Sequence, residues 1–258
     1  MSWSTSEAVL LAARLAERFA SLDLAGRLAA ARAEIPGRLV FTTSFGLEDQ
    51  AIAHAIFTQG LDIEVVTLDT GRLFPETYQV WTETERRYRT RISALAPERQ
   101  AVEALVSRQG INGFRASVEA RHACCFVRKV EPLGRALHGA AGWISGLRAN
   151  QSNERARTHA AAFESERGLI KVNPLFDWTR EHAVDFVREH AIPYNALHDR
   201  GFLSIGCAPC TRAVPPGGHE RAGRWWWEDE DKKECGLHLP GIKSVPAPQA
   251  KDARERAS

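Results

Sequence analysis

A chain of 258 residues, 44% hydrophobic and 26% charged, can bury a sizeable core as one large α/β domain or two small ones. Its net charge of +2 is too balanced for a general nucleic-acid binder. Arg14, Glu17 and Arg18 interrupt the apolar opening segment, so it reads as neither a signal peptide nor a membrane span, and a cytoplasmic protein is expected.

Helices are expected over 5–20 and 22–33, where Leu10, Leu11, Leu15 and Phe19 recur at helical spacing before Pro36-Gly37 closes the region. RLVFTTS (38–44) reads as a buried strand and 48–59 as the helix after it. The alternation continues: strand 63–69, helix 75–89 with Pro75 in its first turn, strand 92–96, helix 98–109. Further strands are expected at 142–148 and at 169–175, the latter at an edge or in a hairpin turning at FESERG. Thr179 caps a helix over 179–190 with Glu181 in its first turn. Strand alternating with helix at this rhythm predicts a doubly wound, mostly parallel, Rossmann-like α/β sheet. The organisation read from the sequence is an α/β domain at 1–212, a Gly/Pro- and charge-rich segment at 213–244, and a disordered tail at 245–258.

Two turns fall where such a sheet places ligands, at the carboxyl ends of strands. TTSFGLEDQ (42–50) puts Ser44, Phe45 and Gly46 at a helix N-terminus, where backbone amides and the helix dipole attract an anion. LDTGRLFPETY (68–78) puts Asp69, Thr70 and Gly71 on the same edge. Either turn alone also describes an ordinary loop; together they outline a nucleotide crevice.

All five cysteines lie in the second half. An odd number in a chain without an export signal points to metal or catalysis rather than disulfides. Adjacent Cys124 and Cys125, and Cys207 and Cys210 in a C-x-x-C, supply four thiolates. That set suits a 4Fe-4S cluster or tetrahedral zinc. The wider corners of a cuboidal cluster accommodate an adjacent pair more easily than a single small ion does. Lys129 follows the first pair and can offset thiolate charge or reach a substrate. Near the C-terminus, Arg221 and Arg224 suit bidentate binding of sulfate or phosphate, and Trp225, Trp226 and Trp227 read as a core anchor. Cys235 sits among charges before Gly236 and His238, a setting that lowers a thiol pKa and makes a nucleophile.

Those stretches, with CCFVRKVEPL, GLRANQSNERA, LHDRGFLSIGCAPCTR and RAGRWWWEDEDKKECGLH, resemble the assimilatory adenylyl-sulfate (APS) and phosphoadenylyl-sulfate (PAPS) reductases over most of the chain. Both cysteine pairs are present, as in the cluster-bearing APS branch. The resemblance implies an adenine nucleotide alpha hydrolase-like fold of the ATP-pyrophosphatase superfamily. Phe45 stands at a glycine position of that superfamily's loop, which argues against ATP cleavage. It further implies that Cys124, Cys125, Cys207 and Cys210 hold a 4Fe-4S cluster and that Cys235 is the nucleophile. Lys129, Arg155, Arg221, Arg224 and His238 would line the sulfate and phosphate site. The implied reaction is thioredoxin-dependent reduction of APS to sulfite and AMP through a cysteine S-sulfonate, in sulfate assimilation and cysteine biosynthesis. A separate thioredoxin, rather than a fused thioredoxin-like domain, is expected as the reductant, and the Gly217-Gly218 pair would let the segment bearing Cys235 swing towards it. PAPS reduction, a pyrophosphatase-like nucleotide enzyme and a non-enzymatic cysteine-cluster protein are the rival readings; whether the chain is a monomer or a homo-oligomer is left open by the sequence.

Overall fold

The computed structural model describes residues 4–152 and 155–228. Ser4 caps α1 (Thr5–Phe19) in a reciprocal box with Glu7, and Asp23 caps α2 (Leu24–Glu34). There follow β1 (Leu39–Thr43), α3 (Leu47–Gln59), β2 (Glu64–Leu68), α4 (Pro75–Tyr88), β3 (Ser93–Leu95) and α5 (Arg99–Gln109). Next come α6 (Val118–Cys125) and α7 (Glu131–Leu137), joined without a break by a π-helical turn at Phe126–Val130. The fold continues with β4 (Gly142–Ile144), β5 (Ala161–Glu164), β6 (Leu169–Val172) and α8 (Arg180–Glu189).

The six strands run in the order β3-β2-β1-β4-β6-β5. Every pairing is parallel except the β5–β6 hairpin at the edge, in keeping with the expected mostly parallel sheet. Both faces are covered, as a parallel sheet requires. Phe41, Val65, Ile144 and Ile170 pack with α1, α2 and α3, while Val40, Val66, Trp143 and Leu169 pack against Leu133, Ala136 and Leu137 of α7. Alternate residues along each strand therefore serve opposite layers. Phe41 and Trp143 are almost wholly enclosed, and truncating either to alanine costs roughly 3–5 kcal/mol.

Two expectations shift, and one stretch with no expected element proves helical. Leu10 is 70% exposed, so α1 buries Leu11, Leu15 and Phe19 but not Leu10. The strands expected at 142–148 and 169–175 stop at Ile144 and Val172, where the chain opens into loops. The stretch between α5 and β4 carries no clear period in the sequence, yet it forms the α6–α7 rod. Pro132 explains both facts: it cannot donate to the carbonyl four residues back, so the helix widens to a π turn just before it instead of continuing regularly.

After β3 the chain returns across the sheet to lay β4 on the free side of β1. The order thus reverses at β1, and a crevice opens beyond the carboxyl ends of β1 and β4.

Candidate active site

The turn after β1 is shaped by Phe45, which takes a left-handed φ of 60° and buries its ring against Trp81, centroids 5.5 Å apart. Phe45 N–H donates to Thr43 Oγ1 at 3.0 Å. Ser44 donates both its N–H and its hydroxyl to Asp49 Oδ2, each at 2.6 Å. Gly46 then begins α3 without a side-chain cap. Asp49 is buried, and burial is the main reason its carboxyl is pushed up to about 6; Glu48 adds to the rise while the Ser44 bonds oppose it. Opposite stands Gly146, in the loop after β4. A Cβ there would lie 2.3 Å from Asp49 Oδ1 and 3.1 Å from Glu48 Cβ, so the two strand-end loops meet at van der Waals distance only because position 146 is glycine.

Beyond these loops lies a cleft of about 1300 Å³, open to solvent. Of the residues singled out in the sequence, Ser44, Gly46, Thr70, Lys129, Arg155, Arg221 and Arg224 line it. Phe45, Asp69 and Gly71 are not among its lining. Asp69 accepts from Gly71 N–H at 2.9 Å and from the Tyr78 hydroxyl at 2.7 Å, which shapes the turn. Cys235 and His238 lie outside the described residues. The sequence reading missed two carboxylates of the cleft wall, Glu48 and Glu220, and the residue that joins them. Arg148, with no side-chain exposure, donates to Glu48 at 2.7 Å and to both Glu220 oxygens at 2.6 and 2.8 Å. Arg148 stands within the GLRANQSNERA motif and Glu48 within TTSFGLEDQ, but a separation of 100 residues hides their pairing. His198 lines the cleft too; burial, with Arg180 nearby, holds its imidazole below the usual range.

Beside the cleft is a second, smaller cavity, lined by Cys124, Cys125, Cys207 and Cys210 together. The first pair ends α6; the second brackets a single helical turn at Ala208–Cys210. All four are free thiols. Thr70 Oγ1 lies 3.3 Å from Cys207 Sγ, and Arg128 Nη1 donates to Thr70 O at 2.7 Å, tying the turn after β2 to the cysteines. Burial pushes the Cys124 thiol up, and burial with the neighbouring Cys207 pushes Cys210 up to about 11. Arg72, Arg121, Arg128, Lys129 and Arg224 also line this cavity, so cations surround the sulfurs. Lys129 and Arg224 line both cavities.

The chemistry of this donor set, four thiols lining one chamber, fits an iron–sulfur cluster. Arg128 Nε, Arg224 Nε and Trp225 Nε1 are buried with no hydrogen-bond partner in the protein, and all three residues line that chamber. Buried N–H groups need acceptors, and the sulfurs of an iron–sulfur cluster would be acceptors for them.

The sequence profile of the phosphoadenosine phosphosulfate reductase domain matches residues 38–213. The chain is 54% identical to the adenosine 5'-phosphosulfate reductase of Agrobacterium fabrum, over 95% of this chain and 94% of that one. It is 56% identical to the protein of the same name from Sinorhizobium fredii, over 93% and 95%, and 43% identical to that of Burkholderia cepacia, over 95% and 96%. Its fold is shared with the phosphoadenylyl-sulfate reductase of Candida auris, solved as a phosphate complex, with a TM-score of 0.68 and 24% identity over 83% of this chain and 99% of that one. Among the described residues no helix is long and apolar enough to cross a membrane. With the matched region running from β1 through the C-x-x-C loop, the chain belongs to the phosphoadenosine phosphosulfate reductase family.

Proposed function

We propose that the protein is a cytoplasmic adenosine 5'-phosphosulfate reductase that draws its electrons from thioredoxin and uses Cys235 as its nucleophile. The observation that carries this reading is that Lys129 and Arg224 line both the cleft at the strand ends and the four-cysteine chamber. The names of relatives sharing more than half of its residues support the substrate.

The substrate is a mixed anhydride of sulfate and AMP, anionic at both ends. A thiolate approaching its sulfur meets like charge, so the site must neutralise that charge as the transition state forms. Lys129, Arg155, Arg221 and Arg224 line the cleft and supply cations. The Ser44–Gly46 turn supplies backbone at the start of α3, where the helix dipole favours phosphate. Gly146 lets the opposing loop close on the same spot.

The thiolate of Cys235 attacks the sulfate sulfur. A sulfur–sulfur bond forms, the sulfur–oxygen bond to phosphate breaks, and AMP leaves with the electron pair. A thiolate of reduced thioredoxin then attacks the Cys235 sulfur. Sulfite leaves with the electron pair of the broken bond, and a mixed disulfide remains. The second thioredoxin thiol resolves it and returns Cys235 as thiolate. Per turnover the dithiol loses two electrons and two protons, and one sulfite and one AMP appear.

Cys124, Cys125, Cys207 and Cys210 would hold a 4Fe-4S cluster, which supplies a charged, rigid centre beside the cleft. The thiol route balances without electrons from it. The chain's own cations, Arg72, Arg128 and Lys129, offset the charge of the four thiolates.

The test is anaerobic turnover of APS with reduced thioredoxin, scoring sulfite. Faster turnover of PAPS than of APS would move the assignment to the 3'-phosphorylated substrate; no sulfite from either would reject it. Cys235→Ser should release no sulfite yet keep nucleotide and iron.

A further inference from the structure

Two arginine side chains, Arg121 and Arg148, have no solvent exposure, and each pairs with a glutamate at one end of the stretch 220–228. Arg148 grips Glu220 through Nη2 at 2.6 and 2.8 Å and is itself braced by Glu48 of α3. Arg121, one helical turn before Cys124, holds both oxygens of Glu228 at 2.7 and 2.9 Å, with its guanidinium 4.5 Å over the Trp225 ring. Between the two glutamates lie Arg221 and Arg224, both buried and both lining the cleft.

The stretch forms neither helix nor strand. Backbone bonds from Arg212 N–H to Gly223 O at 3.0 Å and from Trp225 N–H to Cys210 O at 3.1 Å hold its middle. Its cleft-side end is held by the Glu220–Arg148 pair together with short-range bonds to His219, from Ala222 N–H to the carbonyl at 2.9 Å and from Arg221 N–H to Nδ1 at 3.3 Å. Glu220 presents a puzzle otherwise. A carboxylate in the wall of a cleft that takes an anion repels its ligand, and burial with Glu48 nearby makes its charge costly, pushing its pKa up.

We infer that Arg148 and Glu220 are positioning residues: their buried ion pair, matched by Arg121–Glu228 at the far end, fixes the backbone that presents Arg221 and Arg224 to the sulfonucleotide. The inference rests on the nucleotide reading of the cleft. The same arrangement ties these arginines to the cysteine chamber, because Arg121 shares α6 with Cys124 and Cys125.

Electrostatics and positioning predict opposite signs, which makes the test decisive. Glu220→Gln removes a negative charge from the cleft wall and leaves Arg148 paired with Glu48, so the fold should survive. Charge alone predicts tighter binding of AMP by the iron-loaded protein. Positioning predicts binding about tenfold weaker, with KM for APS raised more than kcat is lowered. In the Glu220→Gln, Arg221→Ala double variant the loss should be clearly smaller than the product of the two single losses, since Glu220 acts in part through Arg221. Equal or tighter AMP binding by Glu220→Gln, or losses that multiply in the double variant, would overturn the inference. Should Glu220→Gln precipitate, Glu220→Asp must show a smaller loss of the same sign. Failure of the wild-type protein to bind AMP would instead reject the nucleotide reading, and this inference with it.

Discussion

Asp49 shows how much one buried charge decides. Its carboxyl titrates near 6 in the fold against 3.8 in an unfolded chain, because burial outweighs the two bonds from Ser44. The native state therefore takes up a proton near pH 6, while the unfolded chain waits until about pH 4. This group's contribution to stability thus rises as pH falls from 7 to 5, and above pH 6 its ionised form is a cost of up to about 3 kcal/mol. Asp49→Asn keeps an acceptor for Ser44 and removes that charge. It should raise Tm by several degrees at pH 7.5 and by little at pH 5, read by thermal melts at both. A variant equally stabilised at both pH values would show that the charge is not the cause. Gly146→Ala pushes a methyl against Asp49 and Glu48 and should weaken AMP binding at least tenfold, measured by titration. At this scale the sequence was half legible. Ser44 and Gly46 were legible as a strand-to-helix turn on the cleft, which they line. Glu48 and Asp49 look like the acidic first turn of any helix, and only their meeting with Gly146 and Arg148 tells otherwise.

Among the elements, the rod from Val118 to Leu137 carries the most chemistry and was the least readable. Pro132 reads as a helix breaker, and the π turn that absorbs it leaves no period of 3.6 to detect. The cysteine pairs themselves were legible, because two pairs in one chain seldom arise without a shared purpose. The hairpin of β5 and β6 was legible too, from the turn at FESERG. Anaerobically purified protein should carry about four irons and four acid-labile sulfides per chain. Metal analysis of Cys125→Ser should show iron falling well below that level while the protein stays folded. Stoichiometric zinc in place of iron would contradict the assignment of Cys124, Cys125, Cys207 and Cys210 to a cluster. Lys129, in the π turn, lines both cavities. Lys129→Ala should raise KM for APS by about tenfold or more, whereas an unchanged KM would place this lysine outside substrate binding.

Across the whole molecule, the order β3-β2-β1-β4-β6-β5 sets the crevice at the β1 and β4 ends, and the cysteine chamber and C-terminal arginines gather beside it. The parallel sheet was evident from the strand–helix rhythm. The junction of the two cavities was not, because Thr70, Lys129, Cys207 and Arg224 come from four distant segments. In the proposed chemistry a thiolate, Cys235, takes a sulfonate from a nucleotide held in this cleft. The most direct measurement is a single turnover of APS without any reductant, followed by mass analysis of the cleaved protein. The prediction is one sulfonate per chain on the peptide bearing Cys235, with AMP released in equal amount. Sulfonate on another side chain, or AMP released with none on the protein, would contradict it.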